Sequence, residues 1–464
     1  MRASRVRALL VAEAANPEWV SVPLEGWSLS RQLAEIADVH LVTQRRNVAA
    51  ILRAGWDPAR LTALDSERVA APLDSLNDWL RKATGLGWTL TTALQALPYY
   101  AFESALIRTF GDAIAQRRFD VVHRVTPLSP TIPSLFLAKH CKDNGVPFVW
   151  GPVNGGVPWP KQFRDVQHAE GEWLTYVREA HRLLPGHGRT RKSAAALIAG
   201  SCSAWEQFAE HRERCVYIPE NGVDPARFTE RARPFRGGQL RIAFVGRLVP
   251  YKAADILIEA AAPLVRQGKV LLDIIGDGPE LGRLRALRAQ SGVESGVLLD
   301  GWVPHEKLAA RLASAHVFGF PSLREFGGAV VLEAMATGLV PIVVGYGGPN
   351  ELVSDATGIR VPLGDRASVV AGVRDGLTRL LSAPELLESY SQRGQARVRR
   401  QFTWQAKAAQ VLEVYRWVLG ARDKPDFGMP LPDERTAEEG ATPGSGTYSK
   451  EQETWTPARS TEQS

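Results

Sequence analysis

Cysteine is scarce in this chain. Its 464 residues include three, Cys141, Cys202 and Cys215, which form no CxxC pair and no metal-ligand spacing. An odd, sparse set excludes a disulfide-stapled scaffold and points to reduced thiols in a cytosol. Charge of one sign is also in short supply. Lys and Arg number 56 against 50 Asp and Glu, a net charge of +6, and no basic run carries interleaved aromatics. Nucleic acid is therefore not an expected partner. The small excess suits diphosphates or an anionic lipid surface. Long apolar runs are missing as well. Ala8 to Ala12, just behind the basic start Met1-Arg-Ala-Ser-Arg-Val-Arg, is too short for a signal-peptide core and no cleavage site follows it. Ala83 to Phe102 carries no charge, yet Gly85, Gly87, four threonines, Gln95 and Pro98 make it too polar for a spanning helix of about 20 residues. Two readings stand for it: a partly buried helix or loop, or an interfacial segment anchored by Trp88, Tyr99 and Tyr100. A cytoplasmic protein is expected, free or resting peripherally on the inner face of the membrane.

What is present is globular. Hydrophobic residues make up 45% and charged residues 23%, enough to bury two cores. The length suits two domains of roughly 150–200 residues plus extras. Between Leu240 and Leu363, short apolar runs alternate with helical patterns. Arg241–Gly246, Leu271–Ile275, Val297–Leu299, Val317–Phe320 and Pro341–Val344 read as strands. Ala254–Leu264 and Ala329–Thr337 read as helices, the second closed by Gly338. With no hairpin turns between them, these strands predict a parallel sheet covered on both faces. The N-terminal half repeats the style more loosely. Ala8–Ala12, Val39–Val42, Asp120–His123, Pro147–Trp150 and Ala195–Ala199 are strand candidates, and Ser28 is placed to cap a helix through Ile36. The fold class expected is α/β: two Rossmann-like, doubly wound parallel-sheet domains facing across a cleft at the carboxyl ends of their strands. The expected division is 1–220, 221–403, a crossover helix at 404–422, and a Pro-, Gly-, Ser-, Thr- and Glu-rich tail at 423–464 that reads as disordered.

The chemistry concentrates in three loops. In Ser322-Leu-Arg-Glu325-Phe326-Gly327-Gly328, followed by a helix that carries Glu333, two glutamates stand eight positions apart. The glycines sit at a helix N-terminus, whose unpaired N–H groups attract phosphate and hydroxyl oxygens. Gly246-Arg247-Leu-Val-Pro-Tyr-Lys252 sets two cations in the first strand-to-helix loop. Fixed cations there stabilise a departing diphosphate more in the transition state than in the ground state. Gly347-Gly-Pro-Asn-Glu351 adds another turn with an acid. Gly151–Gly156 is a second N-terminal glycine-rich loop. Arg178 to Lys192, with His187, Arg189 and Arg191, is either a solvated face or a landing patch for anionic lipid.

Together with Ile218-Pro-Glu-Asn-Gly-Val-Asp224, Gly276-Asp-Gly-Pro279 and Phe320-Pro-Ser322, these motifs resemble the large retaining glycosyltransferase family often called family four. The ordered set spans most of residues 200 to 420. The resemblance implies the GT-B fold, with an acceptor-binding N-terminal domain and a C-terminal domain that binds a nucleotide-diphosphate sugar. It implies a hexosyltransferase that needs no cofactor and no metal; the Asp-x-Asp clamp of the other major transferase fold is absent. Arg247 and Lys252 match the diphosphate-binding pair, Glu325 the glutamate that contacts the donor sugar, and Glu333 the one that holds the ribose. Gly246 and the backbone of Phe326, Gly327 and Gly328 would line the donor site. His123 matches a catalytic histidine. The partners implied are a nucleotide sugar and a carbohydrate or lipid-linked acceptor.

The chain departs from the family pattern in places. His-x-His becomes His123-Arg-Val125, Glu-Gly-Phe-Gly becomes Glu325-Phe-Gly-Gly, and the glycine after the diphosphate lysine is Ala253. An N-terminal glycine pair becomes Glu25-Gly26-Trp27, leaving Gly26 as the candidate for close approach to donor phosphates. A sugar-nucleotide epimerase, a phosphorylase, and a catalytically idle nucleotide-binding scaffold are the alternatives on this architecture.

Overall fold

The computed structural model describes residues 5–66, 88–170, 184–232 and 234–428, apart from the side chains of 88–95, 305 and 306. Two sheets organise it. The first contains β1 (Arg7–Ala12), β2 (Asp38–Gln44), β3 (Leu61–Leu64), β4 (Val121–Thr126), β5 (Phe148–Val153), β6 (Ala196–Ala199) and β7 (Cys215–Tyr217), in the order β3-β2-β1-β4-β5-β6-β7. The second contains β8 (Leu240–Val245), β9 (Val270–Ile275), β10 (Val297–Gly301), β11 (Val317–Phe320), β12 (Val340–Val344) and β13 (Ile359–Val361), in the order β10-β9-β8-β11-β12-β13. Every pairing is parallel. Residues 8–12 and all of β12 are buried, as strands covered by helices on both faces require. The short strands β3, β7 and β13 were not foreseen from sequence. Each lies at or next to a sheet edge, where a few residues suffice for pairing and leave little pattern to detect.

The first helix begins earlier than expected. It runs Val22–Ile36 rather than starting at Ser28. Pro23 stands in its first turn, where a missing N–H costs nothing, and Gly26 is tolerated because the helix packs tightly against the loop after β1. Helix Trp88–Ala115 takes up the uncharged stretch from Trp88 onward; Ala83–Gly87 lie outside the described residues. Tyr99 is 3% exposed, and the buried Arg124 guanidinium lies 4.3 Å from its ring centre. It is therefore a core residue and not a surface anchor. No described helix is long and apolar enough to cross a membrane. In the basic cluster, residues 178–183 lie outside the described set, and Arg191 is buried with its guanidinium 5.4 Å from the Trp150 ring. The tail from 429 onward also lies outside it.

The chain crosses between the sheets twice, at one place. Val223 N donates to Phe402 O at 2.8 Å, and Trp404 N donates to Val223 O at 3.2 Å. Thr403 caps the returning helix Trp404–Val418 through Ala406 N. That helix packs on Val22–Ile36: Trp404, Ala408, Val411 and Val414 share one apolar cluster with Trp27, Leu29 and Leu33. Farther along it, Tyr415 reaches β4, its hydroxyl 2.7 Å from His123 Nδ1. Both side chains are fully buried. Tyr415→Phe should destabilise the protein by about 1–3 kcal/mol, because a buried ring nitrogen loses its donor while the packing is kept. A lower urea midpoint at unchanged slope is the expected reading.

Candidate active site

In each sheet the strand order reverses beside the first strand: between β1 and β4, and between β8 and β11. Such reversals open a crevice at the carboxyl ends of the strands. Here the two crevices join in one cleft of about 2180 Å³ that both domains line. A pocket for one drug-sized ligand is about 300–1,000 Å³, so this cleft has room for two.

Arg247 and Lys252 come from the loop after β8, Glu325 and Phe326 from the loop after β11, and Glu333 from helix Ala329–Thr337; all line the cleft. Lys252 Nζ and Glu325 Oε2 form a direct ion pair, with only 14% and 15% of their side chains exposed. The ammonium also lies 4.9 Å from the Phe320 ring centre. The Glu325 backbone is pinned from behind by Gly348 N, which donates to its carbonyl at 2.9 Å. Gly246 follows β8 and lines the cleft beside Arg247, whose side chain is exposed. Gly328 adopts φ +87° at the head of the helix, a left-handed conformation that favours glycine. A Cβ on Gly327 would collide with Asn221 and Glu220, so that loop touches the place where the chain first crosses between the sheets.

Two expected members are elsewhere. His123 does not reach the cleft. It is fully buried on β4, with Nε2 2.6 Å from Gly151 O and Nδ1 facing Tyr415. Its Nε2–H donates to the carbonyl and its Nδ1 accepts, so both nitrogens are committed. Burial pulls its pKa down to about 4 and keeps the ring neutral. Gly26 is buried, and a Cβ there would collide with the carbonyl oxygen of Ala14. The close approach at Gly26 is to the protein's own backbone.

Other residues were not given roles from sequence. Arg324 is 5% exposed and lies between the rings of Trp159 and Phe326, at 4.9 and 4.8 Å, and its Nε donates to Val157 O at 2.9 Å. Tyr346 Oη donates to Pro158 O at 2.9 Å. The loop after β5 is thereby fastened to the C-terminal domain. Glu351 accepts from Tyr217 Oη at 2.6 Å and from Cys202 N at 3.0 Å. Burial pushes its carboxyl up to about 7, partly offset by those two donors. Sequence placed Arg324 and Glu351 in motifs, but the signal for their roles is tertiary: each reaches across to the other domain.

The fold defined by these sheets and their shared cleft is GT-B. Residues 226–397 match the family model described as Glycosyl transferases group 1. The chain is similar to the D-inositol 3-phosphate glycosyltransferase of Nocardia farcinica, 30% identical over 278 residues, which cover 56% of this chain and 58% of that protein. It is also similar to the MMP alpha-(1->4)-mannosyltransferase of Mycolicibacterium hassiacum, 30% identical over 260 residues, covering 54% and 62%. The chain thus spans about three-fifths of the length of these two relatives. Among solved structures it resembles sucrose-phosphate synthase from Thermosynechococcus elongatus, with TM-score 0.57 and 18% identity over 90% of this chain and 100% of that one. HepE of Anabaena in complex with UDP superposes with TM-score 0.57 at 16% identity, over 88% and 99%.

The interdomain carboxyl makes a pH prediction. The Glu351 pKa is raised on folding from 4.5 to about 7, so its contribution to stability is fully present below 4.5 and lost as pH rises through 7. Unfolding free energy of the parent protein relative to Glu351→Gln should fall between pH 5 and 8, by at most about 1.4 kcal/mol per pH unit. Denaturant melts of both proteins across that range check the sign.

Proposed function

We propose that this protein transfers a hexosyl group from a nucleotide-diphosphate sugar to an acceptor hydroxyl, with retention of configuration and without a metal ion, in the manner of family four. The observation that carries the reading is the Lys252–Glu325 ion pair beside Arg247, at the strand-order reversal of the second sheet. Two opposite charges held there serve two halves of one substrate. A diphosphate draws Lys252 and Arg247 to itself. Glu325, released from its partner, accepts hydrogen bonds from the sugar hydroxyls. Glu333, about one turn into the next helix, takes the ribose diol. The names of the curated relatives support transfer as the reaction, and the HepE structure with UDP supports a nucleotide ligand.

In the reaction the bond from the anomeric carbon to the diphosphate oxygen breaks, and the acceptor oxygen bonds to that carbon on the same face. The acceptor proton passes to the departing diphosphate. Arg247 and Lys252 stabilise the charge that grows there. His123 takes no part, because neither ring nitrogen is available. The described cysteines are unpaired, with Cys141 and Cys215 buried, which fits a reducing cytosol. Contact with an anionic inner membrane face, through exposed Arg189 and Lys192, belongs to the same proposal.

The test is release of nucleoside diphosphate from a panel of nucleotide sugars, in EDTA, with and without an extract containing lipids and sugars. One donor should be consumed, and Arg247→Ala or Lys252→Ala should lower turnover by about two to three orders of magnitude. Unchanged turnover in either variant would remove that residue from the mechanism. A requirement for inorganic phosphate would make the enzyme a phosphorylase instead.

A further inference from the structure

The described cations of the cleft all stand on one of its walls. Among the described residues four cations line it, Arg227, Arg247, Lys252 and Arg324; all come after the first crossing at Val223, and they stand among five acids, Asp224, Asp277, Glu325, Glu333 and Glu351. Among the described residues the N-terminal wall offers three carboxyls, Glu25, Glu206 and Glu220, and burial disfavours the charged form of Glu25 and Glu220. Much of the rest of that wall is apolar, built from Val20, Val22, Leu24, Trp27, Leu128 and Val157.

The apolar surface continues onto the rim. Val20 is 69% exposed and its neighbour Trp19 46%. Two adjacent large apolar side chains left in water beside a cleft mark a contact surface. Ser21, the next residue, has φ 63° and ψ −141°, which L residues rarely adopt. Strain of this kind persists where the surrounding structure holds it, and it clusters at ligand clamps. Here it sits between the exposed pair and the helix Val22–Ile36.

Among the described residues, an acceptor carrying phosphate would meet the Glu206 carboxyl and no cation on this wall. A bare sugar would leave the apolar surface unused. We propose that the acceptor is an uncharged hydroxyl compound with an apolar face, of small-molecule size, seated against Val20, Leu24 and Leu128 while the donor occupies the wall that holds the cations. The volume of about 2180 Å³ accommodates both. This inference rests on the transferase reading above and names the acceptor class for it.

Titration calorimetry on the full chain separates the two claims. UDP and GDP are titrated first. Phenyl hexosides, the parent hexoses and hexose 6-phosphates are then titrated into the protein saturated with whichever nucleotide binds. Phenyl hexosides should bind at least tenfold more tightly than the parent hexoses, and the 6-phosphates most weakly. Val20→Asp, at an exposed position, should weaken phenyl hexoside binding at least tenfold. Preference for the 6-phosphates, equal affinity for phenyl hexoside and hexose, or an unaffected Val20→Asp protein would each overturn the acceptor assignment. Failure of both nucleotides to bind would overturn the transferase reading itself, and this inference with it.

Discussion

Everything in the cleft hangs on the place where the chain crosses between domains twice. The outward segment at Asn221–Asp224 and the return at Phe402–Trp404 are hydrogen-bonded side by side through Val223. One double crossing gives the two sheets a single pivot at the floor of the cleft. The chain has spent buried charge there. Lys407, on the returning helix, is 2% exposed and donates to the Pro219 carbonyl. Its burial lowers its pKa to about 7, opposed by Glu220 and Glu25. Glu25 rises to about 7 through burial, opposed by Lys407, and Glu220 is pushed well above the usual carboxylate range. Groups that resist ionisation in this way hold their geometry only while the surrounding packing excludes water.

From that pivot the fasteners spread outward. Arg324 and Tyr346 hold the loop after β5, and Glu351 holds Tyr217 and the first turn of helix Cys202–Gln207. These contacts are largely polar, as interfaces between domains of one chain commonly are. The Lys252–Glu325 pair belongs to the same logic. Neither partner is left as an uncompensated half-buried charge, and each can be drawn away by a ligand group of opposite need.

The second domain was the more legible from sequence. Its strand positions, the helix Ala329–Thr337 and the left-handed cap at Gly338 follow from short apolar runs ended by glycine, and the structure has them where the runs predict. The first domain was read less well because its glycines and prolines sit inside elements. Gly26 was read as a point of close approach to donor phosphates, and it lies within a helix that starts at Val22. The stretch beginning at Trp88 was ambiguous because a helix buried within a domain and one lying at an interface share the same composition; the burial of Tyr99 separates them.

His123 marks the boundary most clearly. Sequence placed it on a strand, and it is on one. All six residues of β4 are buried, so no alternation betrays which side chain looks toward a cleft and which toward a helix. The arrival of Tyr415, 292 positions away, settled that it faces inward. What the sequence determined by itself is local: strand, loop and helix, and the loops in which the cations and carboxylates stand, because period and turn chemistry act over a few residues. Which of those groups meet, Lys252 with Glu325, Arg324 with the β5 loop, Glu351 with Tyr217, was decided only by tertiary structure, because long-range contacts depend on the pivot that brings two sheets to one cleft.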